Sequence, residues 1–143
     1  MRLSMPARSV LAALCLLAAS SLAAAAQETG CPLPGQKPML IVQLFFGQSI
    51  AGRAPLSPQE WAEFLRRTVT PRFPDGFTVY DAYGQWQDPG GQRIAREKTK
   101  VVMIATEDSP ATRSRIDEVS RAYRTQFRQQ SVGLVTNTAC AAF

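Results

Sequence analysis

The chain has 143 residues, of which 16 are basic, 11 are acidic and none is histidine. This length accommodates one domain of ordinary size rather than two. Because histidine is absent, the composition excludes Ser-His-Asp and Cys-His catalysis and every metal site with histidine ligands.

The first 26 residues have the pattern of a secretory signal peptide. Arg2 and Arg8 lie beside an apolar run over residues 10–22, and Ala24 and Ala26 occupy the −3 and −1 positions of a cleavage site. The run is shorter than the ~20 residues of a membrane-spanning helix. We therefore expect cleavage and a periplasmic or secreted protein without a stable membrane span; the alternative is an uncleaved anchor.

The charge of the predicted mature chain is modest. Loss of two arginines with the signal peptide lowers the net charge from +5 to +3. So small a surplus predicts no nucleic-acid partner.

The mature chain is predicted to begin with an extended leader over residues 27–38, which contain Pro32, Pro34 and Gly35. A single domain over residues 39–143 follows. Its first segment, residues 39–46, is apolar except for Gln43 and predicts a central strand that is apolar on both faces.

Two helices are predicted from their start signals and apolar stripes. Ser57 and Glu60 form a capping-box pattern at the start of a helix over residues 58–69. Ser109, followed by proline, begins a second helix over residues 110–128. The stripes expected to face the core are Trp61, Phe64, Leu65 and Thr68 in the first helix and Ile116, Val119, Tyr123 and Phe127 in the second.

Three further strands are predicted over residues 77–86, 93–106 and 132–138. Asp88 to Gly91 forms a turn between the first two of them. Neither alternate set of residues 77–86 is purely polar, so the pattern leaves open which face of that strand is buried.

The order strand, helix, strand, strand, helix, strand predicts an α+β domain of ferredoxin-like βαββαβ topology. In this arrangement a four-stranded antiparallel sheet carries both helices on one face. The expected spatial order is 4-1-3-2, so the first and last strands are antiparallel neighbours.

Two cysteines, Cys31 and Cys140, remain after signal cleavage. In an oxidising compartment they predict one disulfide, the alternatives being two free thiols or an intermolecular bridge. The predicted topology supports the disulfide independently, because the start of the first strand lies beside the end of the last.

The face of the sheet away from the helices is predicted to carry surplus apolar residues. Ile41 and Phe45 point to it from the first strand, and residues 101–104 are apolar on both faces. Such a face is rarely left in water. We therefore expect it to be covered in a homodimer or to line a pocket for a small-molecule ligand.

Several segments resemble a bacterial family of small exported proteins called domain of unknown function 3574. They are Leu44-Phe45-Phe46-Gly47, the stretch from Thr70 to Val79, the stretch from Asp81 to Trp86, Arg96 to Val101, and Ala122 to Val132. The resemblance covers roughly residues 39–143. It implies a small exported domain and supplies no catalytic residues.

Asp81 is the most unusual polar residue, because aspartate is disfavoured within strands. One explanation is solvent exposure or a partner such as Lys98 or Lys100 on the adjacent strand. The other is a ligand pocket at this strand. Arg72 is expected to fix a proline-rich turn or to bind a ligand. The candidate ligand-binding residues are Arg72, Asp81, Tyr83, Gln85, Trp86 and Lys100.

Two classes of function fit these observations. The first is a non-catalytic binding or interaction module. The second is a small cofactor-free enzyme resembling dimeric ferredoxin-like monooxygenases or isomerases, in which a carboxylate, lysine or tyrosine carries acid–base chemistry. Neither class requires a metal or a cofactor, and catalytic residues are not identified.

Overall fold

The computed structural model describes residues 30–87 and 90–143. The predicted signal peptide, residues 27–29 of the leader, and Asp88 and Pro89 of the predicted turn lie outside the described residues. The elements in chain order are β1 (Lys37–Gly47), α1 (Pro58–Phe64), a π-helical turn (Leu65–Val69), β2 (Thr78–Gln87), β3 (Ile94–Thr106), α2 (Pro110–Phe127) and β4 (Gly133–Ala141).

The four strands form one antiparallel sheet in the order β2-β3-β1-β4. This order confirms the predicted ferredoxin-like topology. β1 and β4 are both longer than predicted, because Lys37 pairs with Ala141 and Pro38 with Cys140. The start of β1 therefore belongs to the sheet rather than to the leader.

The core lies between the sheet and the two helices. Val42, Leu44 and Phe46 of β1 are fully buried on this face, opposite Val102 and Ile104 of β3. The predicted helix stripes contribute Trp61, Phe64, Ile116, Val119, Tyr123 and Phe127, all of them buried. All four residues of the second predicted stripe are therefore confirmed as core, whereas in the first only Trp61 and Phe64 are, since Leu65 and Thr68 are partly buried.

The helix starts are capped as predicted. Ser57 Oγ accepts from the Glu60 N–H at 3.2 Å, and Glu60 Oε2 accepts from the Ser57 N–H at 2.9 Å. A hydrogen bond from the Arg53 guanidinium, followed by those from the Ser57 N–H and hydroxyl, lowers the pKa of the Glu60 carboxyl to about 2. The Ser109 hydroxyl accepts from the Thr112 N–H and caps α2 in the same way.

The end of the first helix differs from the regular helix that was predicted. The Thr70 N–H donates to the Leu65 carbonyl five residues earlier at 2.9 Å, which widens the last turn. The extra residue rotates the following side chains, so Val69 is fully buried in place of Thr68. A regular 3.6-residue period cannot anticipate this shift.

Cys31 and Cys140 form an intramolecular disulfide, as predicted, with Cα atoms 5.5 Å apart. The bond fastens the segment before β1 to the end of β4, so it closes almost the whole described domain. Among the described residues, no helix is long and apolar enough to cross a membrane.

Candidate functional site

The surface of the sheet that points away from the helices, which we call the outer face, receives alternate residues from all four strands. Strand register places on it Met39, Ile41, Gln43 and Phe45 of β1, Thr78, Tyr80, Ala82 and Trp86 of β2, Thr99, Val101, Met103 and Ala105 of β3, and Val135, Asn137 and Ala139 of β4. The predicted apolar surplus on this face is therefore confirmed.

At the centre of the outer face, neighbouring side chains pack against one another and shield the backbone of β3 from solvent. Val101 lies opposite Phe45 on one side and Tyr80 on the other, and it is fully buried. The Tyr80 hydroxyl donates to Gln43 Oε1 at 2.9 Å, bridging from β2 to β1 across β3. The centre of the outer face therefore consists of apolar and neutral polar groups.

Charge is nearly absent from this surface. Of its described residues, only Lys37 and Glu97 are charged, and they lie at opposite ends. Apolar side chains between them are open to solvent, since Tyr80, Met103 and Val135 are all exposed. Trp86, beyond Glu97, is exposed as well. An exposed, uncharged sheet surface of this kind is typical of an interaction site.

At the Glu97 end the outer face sinks into an open hollow of about 1100 Å³. Its walls include Phe45, Trp86 and the loops that follow β1 and α2. Its lining includes one glycine from each of β1, β2 and β4, namely Gly47, Gly84 and Gly133. The Glu97 carboxylate lies against Gly47, and the Phe45 side chain lies against Gly133.

The Glu97 carboxylate is held in a fixed orientation within this hollow. Its Oε1 accepts from the Ser49 N–H at 2.6 Å. A Cβ atom added at Gly47 would lie 2.5 Å from Glu97 Oε2, so glycine is needed there to make room for the carboxylate. Beneath it, the buried Tyr123 hydroxyl donates to the Gly47 carbonyl at 2.7 Å. Burial raises the pKa of this hydroxyl well above its ordinary value, and the negative charge of Glu97 adds to the rise.

A second groove, of about 610 Å³, lies between α2 and β4. Its carboxylates are already neutralised, since Asp108 pairs with Arg113 at 2.8 Å and Asp117 pairs with Arg121. Both acidic groups of this groove therefore already have a protein partner, and neither is left to pair with a ligand. This distinguishes it from the hollow at Glu97.

Four of the six predicted ligand-binding residues lie side by side on β2 and β3. Asp81 pairs with Lys100 across β2 and β3, on the helix side of the sheet, which agrees with the structural explanation for this aspartate. Tyr83 and Gln85 share that side, where Gln85 accepts from Arg96 at 2.9 Å. These residues lie on the helix side of the sheet but outside the hydrophobic core, and they do not surround a cavity.

Arg72 and Trp86 lie elsewhere. The Arg72 guanidinium donates to Glu118 at 3.0 Å and to the Thr68 carbonyl at 2.9 Å, joining the end of the first helix to α2. Trp86 lies on the outer face and lines the hollow. Of the six predicted residues, Trp86 alone lines the hollow.

Sequence reasoning did not single out Glu97 and the three glycines as a site. The available signal was Gly84 in the middle of a predicted strand, because an interior glycine weakens a strand and often marks a close approach by another group. Pairing across the sheet was needed to show that Gly84 lies opposite Glu97 and that Gly47 lies beside it on β1.

The fold and the outer face define a small α+β domain with one open sheet surface and a hollow at its rim. The chain belongs to the family described as Protein of unknown function (DUF3574), whose model matches residues 42–143. The expected resemblance is thereby confirmed. No curated protein matches the sequence.

Two solved structures of a phage SAM lyase are similar to this chain. The first, in complex with S-methyl-5′-thioadenosine, is 11% identical, with a TM-score of 0.53 over 73% of this chain and 90% of the lyase chain. The second, in the apo state, is also 11% identical with a TM-score of 0.53, over 78% of this chain and 93% of the lyase. At this identity the likeness shows the fold alone.

Proposed function

We propose that the protein is an exported, non-catalytic interaction module that binds through the outer face of its sheet, with a second copy of the same chain as its partner. The observation that carries this proposal is the open outer face, which is uncharged between Lys37 and Glu97 and exposes Tyr80, Met103 and Val135.

Physical reasoning favours a second copy as the partner. A two-fold interface needs one surface that fits itself, and the uncharged surface between Lys37 and Glu97 can meet its own copy without opposing like charges. Removing apolar area from water contributes ~25 cal/mol per Å² before the entropic cost of association. The Tyr80–Gln43 hydrogen bond also satisfies two polar groups that such an interface would bury.

Export is supported by the Cys31–Cys140 disulfide, since structural disulfides persist in oxidising compartments. The signal-peptide pattern of the first 26 residues supports the same conclusion. A periplasmic or secreted location is therefore part of the proposal.

We expect the wild type to sediment as a dimer and Val135→Glu to weaken the dimer about 100-fold or more, because the new carboxylate would be buried without a partner. The matched control is Leu134→Glu. Leu134 and Val135 are neighbours on β4 with 52% and 49% exposure, but they point to opposite faces of the sheet. Analytical ultracentrifugation of the three proteins measures the effect.

A monomeric wild type at high concentration would contradict the dimer, and so would equal dissociation by both variants. Met103→Glu and Phe45→Glu extend the test to β3 and β1 on the same face. Circular dichroism confirms that each variant is folded before its sedimentation is interpreted.

A second candidate is a small cofactor-free enzyme. It is favoured by the likeness to a phage SAM lyase and by the carboxylate of Glu97 in an open hollow beside Trp86. Without histidine, a carboxylate of this kind is among the few groups able to carry acid–base chemistry.

The non-catalytic proposal predicts that the purified chain forms no S-methyl-5′-thioadenosine from SAM above a protein-free control. Chromatography of the reaction mixture measures this. Formation of that compound at a rate that falls tenfold or more in Glu97→Gln would support the enzyme and contradict the non-catalytic proposal. The glutamine variant retains the acceptor for the Ser49 N–H, so its fold is expected to be unchanged.

A further inference from the structure

We propose that β4 and the groove beside it bind an extended, acidic peptide segment of a partner protein. The segment adds a fifth strand to the free edge of the sheet, places alternate apolar side chains in the groove between β4 and α2, and pairs a carboxylate with Arg124. This inference goes beyond the proposed self-association, because it uses the sheet edge and the helix side of β4 rather than the outer face.

The first observation is the free edge of β4. In the order β2-β3-β1-β4 this strand lies at one end of the sheet, and all 9 of its residues pair with β1 in an unbroken register, without a bulge. Apart from this pairing, β4 makes no backbone–backbone hydrogen bond among the described residues. Alternate N–H and C=O groups of β4 therefore point away from the sheet and are available to a further strand.

The second observation is that this edge lacks the usual protection against pairing. Natural edge strands are often kept from pairing by charged side chains, by proline or by a bulge. The sequence of β4 is Gly-Leu-Val-Thr-Asn-Thr-Ala-Cys-Ala, which contains neither a charge nor a proline. The opposite edge strand, β2, carries Asp81, whose carboxylate is largely exposed. Of the two edges, β4 is therefore the one that is open to an added strand.

The third observation is the groove of about 610 Å³ along the helix side of this edge. Its apolar lining consists of Leu40, Ile116, Val132 and Leu134. Leu134 lies on the helix side of β4, yet it is 52% exposed, so α2 leaves this part of the strand uncovered. A strand added beside β4 directs every second side chain into the groove, because residues two apart lie on the same face of a sheet.

The fourth observation is the charge on the wall of the groove. Arg124 of α2 lines the groove and is exposed, and its guanidinium forms no hydrogen bond or ion pair in the part of the chain that the structure describes. The other charged groups of the lining, Asp108, Arg113 and Asp117, are already in ion pairs. The charge left for a ligand is therefore positive, which favours a carboxylate.

The position of Arg124 sets the direction of the peptide. Arg124 lies near the end of α2, and it lines the groove together with Ser131 and Val132, which directly precede β4. Antiparallel pairing is the slightly more stable arrangement of two strands. The carboxyl-terminal part of an antiparallel peptide lies beside the beginning of β4, next to Arg124. The expected segment therefore alternates in polarity, and its apolar residues precede an acidic one.

A second copy of this chain fits the groove less well than an acidic peptide does. If β4 paired with β4 of another copy, it would present Leu134, Thr136 and Thr138 to the groove. None of these side chains is charged, so Arg124 would be left without a counter-charge. The occupant that satisfies both the edge and the arginine is a peptide of another protein.

The probe is the peptide acetyl-Thr-Val-Thr-Leu-Thr-Glu-amide, which has valine, leucine and glutamate at alternate positions. Two further peptides carry N-methyl groups either on these three residues or on the three threonines. Because alternate amides of a strand point to opposite sides, only one of the two sets can donate to β4. We expect the probe to perturb NMR signals of β4 and α2, and one methylated peptide to bind at least tenfold more weakly than the other. Absence of binding, or equal affinities of the two methylated peptides, would overturn the inference.

Arg124→Gln tests the charge pair. We expect it to weaken binding of the glutamate peptide about fivefold at low salt, the effect of a partly exposed ion pair. Binding of a counterpart peptide with glutamine in place of glutamate should be unchanged. The matched control is Arg115→Gln, which removes another exposed arginine of α2 that lies outside the groove and has no ion pair among the described residues. Equal effects of the two substitutions would overturn the pairing of the carboxylate with Arg124.

Leu134→Glu and Val135→Glu separate this inference from the proposed dimer. Leu134→Glu places a carboxylate in the groove, so it should weaken peptide binding tenfold or more and leave the dimer intact. Val135→Glu changes the outer face, so it should weaken the dimer and leave peptide binding intact. Equal peptide affinities of the two variants would contradict the assignment of the peptide to the groove.

The oligomeric state of the wild type gives the remaining outcomes. A monomeric wild type that binds the peptide would contradict the dimer and support the peptide site. A dimer that does not bind the peptide would contradict the peptide site alone. Dissociation of the dimer by the peptide would show that β4 pairs with a second copy, and it would overturn the inference.

Discussion

Loss of the Cys31–Cys140 disulfide is expected to lower the free energy of unfolding by about 4–5 kcal/mol. The bond joins residues 109 positions apart, so in the chain-entropy model its removal returns a large amount of freedom to the unfolded chain. It also fastens the segment before β1 beside the end of β4, where Pro38 and Cys140 are paired. Total stabilities of single domains are about 5–15 kcal/mol, so this loss would leave the domain marginal.

Urea unfolding of the mature wild type and of Cys31→Ser/Cys140→Ser measures this effect. Reducing agent should bring the wild type to the midpoint of the double variant and should leave the double variant unchanged. Equal midpoints for the oxidised wild type and the double variant would contradict the prediction.

Phe46→Ala is expected to lower the free energy of unfolding by about 3–5 kcal/mol. Phe46 is fully buried, and its ring lies 5.4 Å from that of Trp61, 5.8 Å from Phe64 and 4.7 Å from Tyr123. Removing it leaves a cavity at the point where β1 meets both helices. The surrounding rings cannot close this cavity without losing their contacts with one another.

The matched control for this variant is Phe45→Ala. Phe45 is the preceding residue in β1 but points to the outer face, where it is only half-buried. We expect a loss of stability less than half that of Phe46→Ala in urea or thermal unfolding of the monomer. Similar losses for the two variants would show that the outer face of the monomer contributes as much as the core.

Local sequence patterns predicted the elements well because each has a short-range physical cause. The Ser57–Glu60 capping box and the Ser109 cap fix the helix starts, and the apolar stripe ending at Phe127 identifies the buried side of α2. The π-helical turn was not predicted because its hydrogen bond spans five residues, whereas the hydrogen bonds of a regular α-helix span four. The end of β4 was missed because its pairing with Lys37 and Pro38 is not a local interaction.

The predicted site illustrates the limit of local patterns. Gln85 and Trp86 are neighbours in the sequence, but successive strand residues point to opposite faces, so only Trp86 lines the hollow. Asp81 was recognised as unusual, and the structure supplies the partner, Lys100, that explains it. Glu97 has no unusual local pattern, and its significance appears only when the strands are paired.

The sequence by itself determined the order of the elements, and with it the topology, the core stripes and the pairing of Cys31 with Cys140. Each of these follows from periodicity, capping and chain connectivity. Only the tertiary structure decided which residues meet at the outer face. Gly84 of β2 lies opposite Glu97 there, and Gly47 of β1 leaves room for its carboxylate, because strand register, which depends on packing along the whole sheet, brings distant positions together.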